Sequence, residues 1–190
     1  MASIIKNRAI VNDDWTLVRP AEDGSLPESN DLPAGKVLVP LALWQASRDA
    51  LIASRSAAEL GVWLAPDSEP ADLVADFDKI ALIGVDFPVF RDGRGYSIGR
   101  LLRERYGYKG ELRAIGDVLR DQITFMFRCG FDAYALREDK DFDDALKAFD
   151  EFSVQYQGAV DNPSPLFRRR AAAASAAAAS AADSTAKVSA

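Results

Sequence analysis

The sequence predicts an α/β protein built on an open, mainly parallel sheet of about five strands, and three observations carry that expectation. Short apolar runs alternate with helical patterns from Lys36 onward. Glycine stands where those helical patterns stop, in Leu60-Gly61-Val62, Tyr106-Gly107-Tyr108 and Cys129-Gly130-Phe131. A strand pattern follows soon after each glycine, and repeated strand–helix–strand units make a parallel sheet with right-handed crossovers. About five strands are too few to close an eight-stranded barrel. The sheet is therefore expected to be open, either as a partial barrel or as the middle of three layers.

At the N-terminus, Ile4–Val11 and Trp15–Arg19 are β-rich runs flanking the turn formers Asn12-Asp13-Asp14. They read as a small hairpin within residues 1–19. Residues 20–35 mix Pro, Gly, Asp, Glu and Ser with little to bury, and read as a linker. Residues 36–158 form the α/β domain. Its strand candidates are Val37–Leu41, Val62–Ala65, Ile80–Asp86, Glu111–Ile115 and Asp132–Leu136. Helical patterns lie between them at about Trp44–Glu59, Pro70–Phe77, Ile98–Tyr106 and Val118–Cys129. A last helix is expected over Phe142–Tyr156, where Phe142, Ala145, Leu146, Phe149 and Phe152 share one face. Residues 159–190 end in an Ala/Ser-rich tail with nothing larger than a methyl group to pack, so disorder is expected there.

The 190 residues carry a net charge of −6, which argues against general nucleic-acid binding. No apolar run reaches the roughly 18 residues that a membrane span needs, and the N-terminus lacks the apolar core of a secretion signal. One cysteine and no histidine exclude an internal disulfide, a zinc site and a Ser-His-Asp or Cys-His pair. A cytoplasmic protein without metal or cofactor is the expectation, with an oligomer left open. Cys129, at a helix end beside Gly130, reads as an inert and partly buried thiol.

The stretch richest in chemistry is Gly84–Gly99. A strand ends at Asp86, and a loop with two arginines and two glycines leads directly into a helical pattern. In parallel α/β sheets ligands lie beyond the carboxyl ends of the strands. Three groups are expected at that edge: Asp86 with Arg91, Asp92, Gly93, Arg94, Gly95, Tyr96 and Ser97; Asp117 with Arg120, Asp121 and Gln122; and Arg137-Glu138-Asp139. Arg91 and Arg94 are suited to grip a carboxylate or phosphate, with backbone N–H groups near the helix start. The alternative is that Asp92 ties Arg94 down and the arginines simply face water. A dinucleotide fingerprint fits poorly, since Gly93 and Gly99 are spaced one residue too far apart and the turn is not tight. Asp117, just ahead of a helical pattern, reads first as a helix cap.

Several of these runs resemble a bacterial family catalogued as domain of unknown function 934. The resemblance rests on Phe87-Pro88 followed by Asp92-Gly93-Arg94-Gly95-Tyr96-Ser97, on Arg100-Leu101-Leu102-Arg103, and on Tyr106-Gly107. Gly110-Glu111-Leu112-Arg113-Ala114, Gly116 through Gln122, and Arg128-Cys129-Gly130-Phe131 complete it. The resemblance implies a genomic setting beside the haem subunit of assimilatory sulfite reductase, and some members carry a loose oxidoreductase label that no cofactor motif here supports. That setting, taken with the Arg/Gly loop read above, leads to the expectation of an accessory protein of sulfate or sulfite reduction, contacting that haem subunit or its electron donor and holding a small anion. A binder or enzyme acting on a small anionic metabolite is the alternative.

Overall fold

The structure is a computed structural model and describes residues 2–176. Among the described residues eight strands form one mixed sheet, against the expected count of about five. They are β1 (Ser3–Lys6), β2 (Ala9–Asn12), β3 (Trp15–Leu17), β4 (Lys36–Pro40), β5 (Leu60–Leu64), β6 (Leu82–Phe87), β7 (Glu111–Gly116) and β8 (Ala133–Tyr134). The spatial order is β2-β1-β8-β7-β6-β5-β4-β3. Strands β3 to β8 are parallel and follow one another in chain order. The two N-terminal strands add an antiparallel ribbon beside β8.

The N-terminal hairpin is real but differently built from the expectation. Its turn is Asn7-Arg8, both at positive φ (49° and 62°), the twist that suits a two-residue hairpin. Asn12-Asp13-Asp14 does not close a hairpin. It carries the chain from β2 to β3, which pairs in parallel with β4 at the far edge of the sheet. From Asn12 to Trp15 the chain spans at most about 11 Å. The two outermost strands therefore lie close together where the chain crosses, and the open sheet curls into a partial barrel. Asp13 secures the crossing: its N–H donates to Ala2 O (2.9 Å), and its carboxylate accepts from Trp15 N (3.2 Å) and Arg113 Nη1 (2.8 Å).

Sequential parallel strands joined by right-handed crossovers place the connecting helices on one face. Helices α1 (Leu41–Ser54), α2 (Arg94–Arg100), α3 (Arg120–Arg128) and α4 (Phe142–Leu146) cover the convex side, together with a 3-10 segment at Pro70–Asp76. A π-helical turn, Leu101–Arg105, continues α2. Val39, Val62, Val85, Phe87 and Ala114 face Trp44, Leu51, Leu73, Leu102 and Met126 in the main core. The concave face has its own smaller cluster, drawn from strands and the residues that follow them: Leu38, Trp63, Leu82 and Ile115, with Trp15, Ala65 and Ala135 at its margin. Partial barrel is thus the form the sheet takes, and the three-layer alternative is not.

Two further expectations need correction. Gly61 is not a helix stop but lies inside β5, where a Cβ would come within 3.0 Å of both Leu38 and Trp15. Its bare backbone makes room for the Trp15 ring over the sheet. Gly107 and Gly130 do follow helix ends at positive φ. The expected helix is much shorter than Phe142–Tyr156: α4 and a 3-10 turn (Lys147–Asp150) make up all of it, and Phe152 is exposed. Ser153 and Val154 in the run beyond it propagate a helix poorly, and Gly158 follows soon after. Within the Ala/Ser-rich tail, residues 166–176 are helical, with Arg169 donating to Gln155 O at 2.8 Å. The remainder of the tail lies outside the described residues.

Candidate functional site

At the carboxyl ends of the parallel strands the curled sheet leaves a cavity of about 280 Å³. Its walls come from the two ends of the parallel run of strands: Trp15, Leu17 and Arg19 on and just beyond the edge strand β3, and Ala135, Leu136 and Arg137 just beyond β8, which lies between β1 and β7. Leu38 and Ile115 form its apolar floor. The carboxyl end of such a sheet is where loops and strand ends converge on ligands.

Two guanidinium groups stand at this mouth, each nearly half exposed. Arg19 sends Nη2 to Asp86 Oδ1 at 2.9 Å and Nη1 to Oδ2 at 3.4 Å. Its guanidinium also lies 5.3 Å from the Trp63 ring centre, an attractive cation–π geometry. Trp63 is fixed in turn by Nε1 donating to Val18 O at 2.9 Å. Asp86 itself is buried. Arg137 is held by Asp117 Oδ1 (3.1 Å) and Asp139 Oδ1 (2.6 Å), and these partners raise its pKa further. Hydrogen bonds from Arg137 and Lys140 hold the Asp139 carboxyl well below the usual range. Both forks are therefore oriented by carboxylates behind them.

Deeper in the sheet Arg113 is 3% exposed and fully engaged. It bonds Asp13 at 2.8 Å and Glu111 at 2.6 Å, and Lys6 reaches the same Glu111 at 2.6 Å. With its partners in place Arg113 is a strut across the concave face rather than a free ligand for an anion.

The residues expected at the site divide between the mouth and its surroundings. Asp86 and Asp117 hold the mouth arginines. Asp117 is not a helix cap: Oδ2 accepts from Phe90 N at 3.2 Å, while α3 begins three residues later. The carboxamide of Gln122 accepts from Leu119 N at 2.9 Å and does the capping instead. Its Nε2 donates to Phe90 O at 3.4 Å, tying the loop after β6 to α3. Asp92 grips Arg94 through Nε (3.0 Å) and Nη2 (2.7 Å), which lowers the carboxyl pKa and raises that of the guanidinium. Gly93 precedes α2, and Gly95 packs so closely on Phe87 that a Cβ would lie 2.6 Å from its ring. Tyr96 leans on Phe87 and Phe125, and its burial raises the phenol pKa. Arg91 and Ser97 are exposed. Arg120 turns away to Asp144 (3.2 Å) and Glu151 (2.7 Å).

Arg19, Trp15 and Trp63 were not legible as site residues, because their place depends on β3 crossing to the far edge. Arg113 did leave a signal: a charge between Leu112 and Ala114 in the middle of a strand. Among the described residues no group of three or more acidic or thiol side chains is placed to hold a metal ion, and no helix is long and apolar enough to cross a membrane.

Residues 61–167 match a family described as a bacterial protein of unknown function, DUF934. No curated protein and no solved structure matches the chain.

Proposed function

We propose, for a chain that belongs to the bacterial DUF934 family, that the mouth of its curled sheet holds a small anionic metabolite. The observation that carries this reading is the pair of guanidinium forks, Arg19 and Arg137, brought from the first and last of the parallel strands to one cavity and oriented by buried or bonded carboxylates. Planar forks of this kind suit bidentate recognition of a carboxylate, sulfo or phosphoryl group. The test is a thermal-shift screen of phosphate, sulfite and simple carboxylates. Arg19→Met and Arg137→Met should each abolish the shift that a binding anion gives, while Arg91→Met and Arg94→Met keep it. Loss confined to the loop variants would move the site to residues 91–97.

A second reading is supported by a separate surface. Val89, Phe90 and Phe125 are 46–52% exposed beside Arg91, Arg94 and Arg100. That aromatic and basic face favours contact with a protein, in keeping with an accessory role beside the sulfite reductase haem subunit or its electron donor. Co-purification from sulfate-grown cells, lost in a Phe90→Ser/Phe125→Ser variant, is the result this reading expects.

A further inference from the structure

We infer that the ligand of the mouth is an organic acid with an apolar body rather than an inorganic oxyanion. This inference rests on the anion site proposed above and concerns its substrate class. Four observations converge on it. The cavity is too large for a bare oxyanion: about 280 Å³ lies close to the lower end of small-molecule pockets. Its wall is mostly apolar, from Trp15, Leu17, Leu38, Ile115, Ala135 and Leu136. That wall is incompletely covered by the protein itself, since Leu17 is 38% exposed and Trp15 and Ala135 are only partly buried.

The fourth observation is electrostatic. Asp86 already compensates Arg19, and Asp117 with Asp139 compensates Arg137. A naked anion at these forks gains orientation but little net Coulomb attraction. Affinity must then come from apolar surface leaving water, and the unfilled wall below the arginines is where that surface would go. The acid group sits between Arg19 and Arg137, and the apolar body lies between Trp15 with Leu38 on one side and Ile115 with Ala135 on the other.

The test is calorimetry on the full chain with two probe series, inorganic phosphate and sulfite against the straight-chain carboxylates propanoate, butanoate and hexanoate. Each buried methylene should tighten binding about threefold to fourfold until the cavity is full, with the inorganic ions far weaker. Ala135→Leu narrows the cavity and should flatten the chain-length dependence, weakening hexanoate at least tenfold and propanoate by less. Leu17→Trp, from the opposite and more exposed wall, should do the same if Ala135→Leu folds badly. Phosphate or sulfite binding as tight as hexanoate, dependent on Arg19 and Arg137 and indifferent to both wall variants, overturns the organic class and leaves the anion site intact. Binding by neither series overturns the class and the anion site together.

Discussion

Asp76 shows how one buried carboxylate organises its surroundings on the helix-covered side. It accepts from Arg48 Nε and from Trp44 Nε1 at 2.9 Å, joining α1 to the 3-10 segment that ends at Asp76. The Arg48 bonds, then the Trp44 bond, hold its carboxyl below the ordinary value of 3.8 against the opposing effect of burial. A depressed folded value means the contribution is complete above pH 4 and is lost as pH falls through the lower folded value. Asp76→Asn should lose about 1.5–3 kcal/mol at pH 7, the range for a hydrogen bond to a charged group. In urea titrations the gap to the parent protein should narrow by pH 3, and a constant gap would refute the linkage. Cys129 is the opposite case, because burial pushes its thiol up to about 11. It should resist thiol reagents at pH 8 until denaturant is added, and rapid labelling of the folded protein would contradict that. Gly116, at φ 95°, leaves no room for a side chain: a Cβ would meet Phe87 O at 2.5 Å and Asp86 Oδ1 at 2.8 Å. That close approach keeps the end of β7 tight against the carboxylate that orients Arg19.

At the scale of elements, the Asn7-Arg8 turn joins strain to a compensating contact. Arg8 sits at φ 62°, a conformation that costs a non-glycine residue about 1–2 kcal/mol. Its guanidinium lies 4.8 Å from the Phe127 ring and 5.2 Å from Phe149, which binds the hairpin to α3 and the turn after α4. Arg8→Gly removes strain and contact together and should leave the melting temperature within about 3 °C. Arg8→Ala keeps the strain and loses the contact, so it should be the less stable of the two, and the reverse order in thermal unfolding would break the argument. The parallel strands after Lys36 were legible because each is a short apolar run bounded by polar and glycine punctuation. Their helical partners were legible by periodicity, although the segment at 70–76 is 3-10 and α2 ends in a π turn. The hairpin and β3 were misread for one physical reason. Asn12-Asp13-Asp14 has turn composition, and composition does not reveal whether a turn reverses a strand or carries the chain between sheet edges. The same blind spot hid Arg19 and Trp15, whereas Asp86, Asp117 and Arg137 could be placed at the mouth from strand ends alone.

At the scale of the whole molecule, curling brings chemistry from the first and last of the parallel strands to one place, and the Asp13–Arg113–Glu111–Lys6 network holds that curl. Arg113→Met leaves two carboxylates without their main partner inside the sheet and should cost about 3–5 kcal/mol. Adding Glu111→Leu should restore much of the loss, since Lys6 is exposed enough to turn to water. No recovery in the double variant would mean that the network is not what seals the seam. The central claim, an anion site between Arg19 and Arg137, is most directly read through the tryptophans. Trp15 lines the mouth and Trp63 lies under Arg19, whereas Trp44 is buried on the other face and bonded to Asp76. The decisive measurement is a titration of the protein with hexanoate followed by tryptophan fluorescence. The structure predicts a saturable change that disappears in Arg19→Met/Arg137→Met and persists in Arg91→Met/Arg94→Met. A flat titration with hexanoate and, repeated, with phosphate and sulfite alike, or a signal abolished by the loop variants and untouched by the mouth variants, would contradict it.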